Sequence, residues 1–182
     1  MKKTVLTFGL ISGVVLSAMM AMTTRLTDLI GFDRGEIIGY ASMLAAFLMI
    51  YFGIRSYRDN VAGGSVRFGR AFAVGALIAL VSSACYTATW EVMYFSSDSD
   101  FMVKYQAHQI DDMRTKGATP AEIQQKTEEM QKFAAMYKNP AINAAMTMME
   151  ALPLGLVIAL ISAGVLSRRR GTALGKVVAG AG

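Results

Sequence analysis

Apolar residues fall into four long stretches of almost uncharged sequence: Val5 to Thr24, Ile37 to Ile54, Ala71 to Phe95 and Ile142 to Leu166. The third contains Glu91 as its one charge and the fourth Glu150. A membrane-crossing helix needs about 20 mainly apolar residues, with a range of roughly 17–25. Each stretch therefore predicts one span, at about 4–24, 36–54, 71–95 and 141–166. The second lies near the short limit and is expected to stand upright or to begin at Glu36. The predicted fold class is all-α: a single membrane domain, built as a four-helix transmembrane bundle with an extramembrane pair of helices between the third and fourth spans.

That pair is expected in residues 96–140, followed after the fourth span by a tail, 167–182. Ser96 to Asp100 offers side chains that could cap a first helix, and Gly117 after Lys116 offers a left-handed stop. Thr119-Pro120-Ala121-Glu122 then combines an N-cap, a proline at the first helical position and an acid at the third, the pattern of a capping box. The second helix should run from Pro120 to about Lys138, with Ile123, Met130, Phe133 and Tyr137 tending to one side. That apolar side could rest on the membrane surface, on the first outer helix or on a partner.

Charge gives the spans a direction. Lys2 and Lys3, the loop with Arg55, Arg58, Arg67 and Arg70, and the tail with Arg168, Arg169, Arg170 and Lys176 hold ten basic residues against one acid, Asp59. The other connections, with Glu91 and Glu150 at their margins, hold eight basic and twelve acidic residues. The positive-inside rule places the first set, and both chain ends, in the cytoplasm. Tyr86, Trp90, Tyr94 and Phe95 gather at the outer end of the third span, where amphipathic rings favour the interface. The first stretch follows two lysines as a secretory signal would, but methionines crowd the cleavage region around Ser17 to Met22, so a retained helix is expected.

Composition agrees with lipid as the solvent: 54% of residues are hydrophobic and 17% charged, against about 45–50% and 25% in soluble domains. The net charge of +5 is explained by topology, since no basic run is interleaved with aromatics, and no nucleic acid is expected. The arginines Arg55, Arg58, Arg67, Arg70, Arg168, Arg169 and Arg170 would instead attract anionic lipid.

In lipid, helices associate through close packing of small residues and through polar contacts. Gly9, Gly13, Ser17 and Ala21 form such a series in the first span, Gly75, Ala79 and Ser83 in the third, and Gly155, Ala159 and Ala163 in the fourth. The second is weaker, with Gly35 and Gly39 on one side and Ala41 and Ala45 on another. These faces serve contacts within one chain or in a homo-oligomer.

Candidate chemistry is sparse. Glu91 and Glu150 are ionisable residues within spans, which makes them functional candidates, although counting along the helices sets both near the outer boundary. Arg25 and Glu36 should lie at a similar level, and an Arg25 pair with Glu91 or Glu150 would lower the cost of burial. These four residues form the candidate polar site. Pro153 predicts a kink or a helix start. Cys85 reads as a buried small residue, and His108, the single histidine, as solvated. No phosphate loop, His-Glu-x-x-His or Gly-x-Ser-x-Gly motif occurs, so neither catalysis nor a cofactor or metal is expected.

The order of elements resembles a bacterial four-span membrane family, domain of unknown function 4199. The likeness rests on Met1 to Gly13, on Tyr57-Arg58-Asp59 through Gly63-Gly64 to Phe68-Gly69-Arg70-Ala71-Phe72, on Asp100-Phe101 and Lys116-Gly117, and on Asn139-Pro140 with Leu152-Pro153-Leu154-Gly155. It implies a bacterial inner-membrane location and brings no catalytic residues. The residues themselves read as a noncatalytic protein that binds or scaffolds a membrane or periplasmic partner through 96–140. The alternative is an oligomeric small transporter or channel that uses the outer carboxylates.

Overall fold

The computed structural model describes residues 1–96 and 101–167. Within them lie six helices and no strand: α1 (Lys2–Ile30), α2 (Phe32–Asn60), α3 (Phe68–Ser96), α4 (Phe101–Thr115), α5 (Pro120–Tyr137) and α6 (Pro140–Leu166). Helices α1, α2, α3 and α6 are long and apolar enough to cross a membrane. The predicted all-α class is the one observed.

The helices outrun the apolar stretches that announce them. The second, expected to be short, has 29 residues. At about 1.5 Å per residue it covers roughly 43 Å, the thickness of a bilayer with its headgroups. The helix takes in Asp33, Arg34 and Glu36 at one end and Arg55, Arg58 and Asp59 at the other, where Arg58 Nε donates to Asp59 Oδ1 at 2.7 Å. Helix α1 likewise continues past Arg25 to Ile30, and one residue, Gly31, joins it to α2. Gly31 has φ 81°, a conformation that glycine adopts without cost. Its N–H donates to Thr27 O at 2.9 Å and its carbonyl accepts from Gly35 N at 3.0 Å.

Between α2 and α3 the chain reverses at Gly63 (φ 68°) and Gly64 (φ 86°), with Gly64 N donating to the carbonyl of Arg58 at 2.9 Å. Phe68 and Phe72 enter α3 one turn apart, their rings nearly parallel at 6.3 Å. Helix α6 starts at Pro140, where Asn139 accepts from Ala141 N at 3.0 Å. It runs through Pro153 unbroken, so the expected start at that proline does not occur.

Helix α3 is the centre of the bundle, packed mainly on α6 and α1. A Cβ on Gly9 would lie 2.8 Å from Val81, one on Gly13 2.7 Å from Cys85, and one on Gly155 2.8 Å from the Cβ of Ala79. These are backbone approaches that a side chain would prevent, and the Gly9 series therefore works within the chain. Gly53, on α2, meets Ile78 and Phe8 in the same way; its face is not apparent from the four-residue series. Hydroxyls add to the seams: Ser12 donates to Ala46 O at 2.9 Å, Ser82 to Gly9 O at 3.1 Å, and Thr89 to Ser17 Oγ at 2.8 Å. Phe47, Ile50, Ile54, Val74 and Ile78 fill the centre and are inaccessible to solvent.

Helices α4 and α5 form a hairpin at one end of the bundle, the capped end. Gly117 turns at φ 80°, and Ala118 N donates to Met113 O at 3.0 Å. The capping box is complete: Thr119 N donates to Glu122 Oε2 at 2.7 Å and Glu122 N to Thr119 Oγ1 at 3.3 Å. These bonds, the backbone one first, hold the Glu122 carboxyl below its ordinary pKa. Of the proposed caps for α4, residues 97–100 lie outside the described residues. The apolar side of α5 rests on the bundle and on α4: Met130 is buried, Gln106 Nε2 donates to Met130 O at 3.1 Å, and Tyr137 meets Tyr94 edge-on at 5.4 Å.

Gly155→Ala is expected to destabilise the protein by about 1–3 kcal/mol through overpacking, whereas Gly39→Ala, whose Cβ would have no atom within 4 Å, should not; thermal unfolding in mild detergent compares them. Thr119→Ala should speed amide exchange in the first turn of α5 about fivefold. The Glu122 contribution is full above the pKa the carboxyl has when unfolded and disappears as the pH falls through its lower folded value. Acidification should therefore open the first turn of the wild type and leave that of Glu122→Gln unchanged.

Candidate functional site

At the capped end the spans part around a cleft of about 400 Å³, partly roofed by α4 and α5. One face of α1 forms a wall. Leu16, Met20, Thr23 and Thr27 recur at the three- and four-residue steps that keep helix positions in line. Opposite, α2 presents Glu36, Gly39, Tyr40 and Met43, and α6 presents Thr147 and Glu150. Aromatic side chains complete it: Tyr86 and Trp90 from α3, Tyr105 from α4, Phe133 and Tyr137 from α5. Of the weak packing face, Gly35 is buried against α1, where a Cβ would be in ordinary contact with Thr23 and Thr27, whereas a Cβ on Gly39 would stand in open space.

Of the four candidate polar residues, Glu36 and Glu150 come together on this cleft, both exposed to it. Tyr40, one turn from Glu36 on α2, lines the same cleft. Arg25 does not join them. It is exposed on the opposite side of α1 from the Leu16 to Thr27 wall and makes no ion pair with Glu36, Glu91 or Glu150. The expected pairing fails because α1 stays helical past Arg25, so its direction follows the helix rather than a loop. Glu91 also stands outside the cleft, with one carboxylate oxygen enclosed and without a hydrogen-bond partner.

Several contributors escape a search for charges within apolar stretches. His108, expected to be solvated, is partly buried. Its Nε2 lies 3.0 Å from Asp33 Oδ1, and its ring stacks on Phe32 at 5.2 Å. This contact ties α4 to the start of α2. Asn143, fully buried, donates from Nδ2 to Tyr137 O at 3.2 Å, and its own carbonyl accepts from Thr147 Oγ1 at 3.0 Å. Tyr137 Oη lies 3.5 Å from that hydroxyl. Burial pushes the Tyr137 phenol up, against the opposing effect of its hydrogen bonds, so it stays a neutral donor or acceptor. Asn143, Thr147 and Glu150 are spaced i, i+4, i+7, a polar stripe on an apolar helix that the sequence displays.

The lining carries three acids, Asp33, Glu36 and Glu150, and neither lysine nor arginine. Carboxylates, hydroxyls and aromatic faces make a surface suited to holding a guest by charge and by π-contact. Asn143→Ala would leave the Tyr137 carbonyl without its donor, at a cost of about 1–3 kcal/mol. Faster amide exchange at the end of α5, with the first turn unaffected, is the expected result.

No curated protein and no solved structure matches the chain. A family model, described as Protein of unknown function (DUF4199), matches residues 7–168. With that match extending from the first span to the end of the fourth, the chain belongs to the DUF4199 family.

Proposed function

We propose that this chain is a noncatalytic binding protein of the bacterial inner membrane, with both ends in the cytoplasm and the α4–α5 hairpin on the periplasmic side. The observation that carries the reading is the cleft itself, which is lined from α1, α2, α3 and α6 together with α4 and α5, while Phe47, Ile50 and Ile78 are fully buried in the core of the bundle. A guest enters beside α4 and α5 and meets a closed core, an arrangement that favours binding over passage through one chain. The hairpin supplies a surface for a membrane or periplasmic protein: Val103, Phe133 and Met136 are exposed there. Arg55, Arg58, Arg67 and Arg70, at the opposite end, attract anionic lipid. The juxtaposition of Glu36 and Glu150 favours a second reading, an oligomeric transporter that uses these carboxylates; proteoliposome flux abolished by Glu150→Gln would select it.

Two measurements test the first reading. Reporter fusions after Val61 and Gly117 should give cytoplasmic and periplasmic signals respectively, and the reverse pattern would overturn the orientation. Copurification from native membranes should yield a defined component that is lost both in Gly39→Leu, which fills the cleft, and when 96–140 is replaced by a short linker. A component retained in both variants argues against binding at this end.

A further inference from the structure

We propose that the guest of this cleft is an organic cation: an ammonium or other onium centre carried on an apolar body. The inference rests on the reading of the cleft as a binding site and adds the chemical class of its ligand. The whole chain has a formal charge of +5, yet the cleft lining has three carboxylates and no lysine or arginine. Lysine and arginine are abundant in the protein and absent from this lining; Arg34 and Lys104 line the adjoining hollow, which shares Asp33 and His108 with it.

Asp33 is engaged by His108. Glu36 and Glu150 are not engaged: neither makes an ion pair or a hydrogen bond within the described residues, and both line the cleft, one from α2 and one from α6. Two like charges beside apolar walls raise each other's energy, and a cation placed between them relieves both. The remaining surface fits the rest of such a molecule. Tyr40, Tyr86, Trp90 and Tyr137 line it with aromatic rings, whose quadrupole attracts cations, and Met19, Met20 and Met43 offer adaptable apolar contact. A volume of about 400 Å³ lies within the range of small-molecule sites, about 300–1,000 Å³. A hydrated metal ion would use the carboxylates and leave the aromatic walls without a role, whereas an onium ion on an apolar body uses both.

Trp90 is the single tryptophan of the chain and lines the cleft, so its emission reports occupancy without a label. The probe is benzyltrimethylammonium, with neopentylbenzene as its neutral isostere, added to the full chain in phosphatidylglycerol nanodiscs. The cation should change Trp90 emission saturably. Glu36→Gln and Glu150→Gln should each weaken its binding about tenfold and leave that of neopentylbenzene unchanged. Both carboxylates are open to the cleft, so the amides should fold, and an unchanged size-exclusion profile verifies this. If the double variant binds the cation as the wild type does, or both probes bind alike, the cationic assignment is overturned and the binding reading stands. If neither probe alters Trp90 emission and Gly39→Leu has no effect, both are overturned. An affinity for the cation that falls when phosphatidylethanolamine is added assigns the ammonium to a lipid headgroup; an unchanged affinity assigns it to a freely dissolved amphiphile.

Discussion

The structure depends on how near α3 can come to its neighbours. Lipid gives apolar side chains little reason to leave it, so the helices must gain their cohesion from dispersion contacts at short range and from hydroxyls that find carbonyls across the seam. Gly9 and Gly13 on one side, and Gly155 on the other, bring two backbones to α3 at distances that exclude even a methyl group. Those approaches put Ser82 within reach of the Gly9 carbonyl and Thr89 within reach of Ser17. Packing and hydrogen bonding are thus one device here: the absent side chains set the separation that the hydroxyls then use.

The same device explains why the bundle opens at one end. Toward the Gly63-Gly64 turn the facing residues are small or well-fitting, and Val74, Ile54 and Ile50 leave no space. Toward the capped end α1 still meets α3 at Ser17 and Thr89, but Tyr40, Tyr86 and Trp90 are too large for an approach of that kind and line a cleft instead. What α3 and α6 no longer fill is left to α5, whose Tyr137 meets the aromatic end of α3 and whose last carbonyl is held by Asn143. The cleft is the gap between a tightly sewn half and a half covered by a separate hairpin.

Much of this was legible in the residues. The four apolar stretches identified the four long helices, Thr119 with Glu122 identified the start of α5, and the Gly9 series identified the face that meets α3. The ends of α1 and α2 were not legible, because hydropathy marks where lipid begins and not where a helix stops. Arg25, Asp33 and Arg34 read as loop, yet all are helical. That error displaced Arg25 from the carboxylates it was expected to meet. The place of Glu36 and Glu150 on one cleft depends on how α2 and α6 are rotated in the bundle, a tertiary property that spacing within one helix does not encode. The polar stripe of Asn143, Thr147 and Glu150 was visible, but its two uncharged members attract less attention than the glutamate that ends it.

The joint at Gly31 also limits how the first two helices can move. Two long helices connected by a single residue have no slack between them, so neither can slide along the other by a turn without breaking the bonds from Gly31 to Thr27 and from Gly35 to Gly31. Thr23 and Thr27 of α1 therefore keep a fixed level against Glu36 and Gly39 of α2, and the two sides of the cleft that these helices supply stay in step.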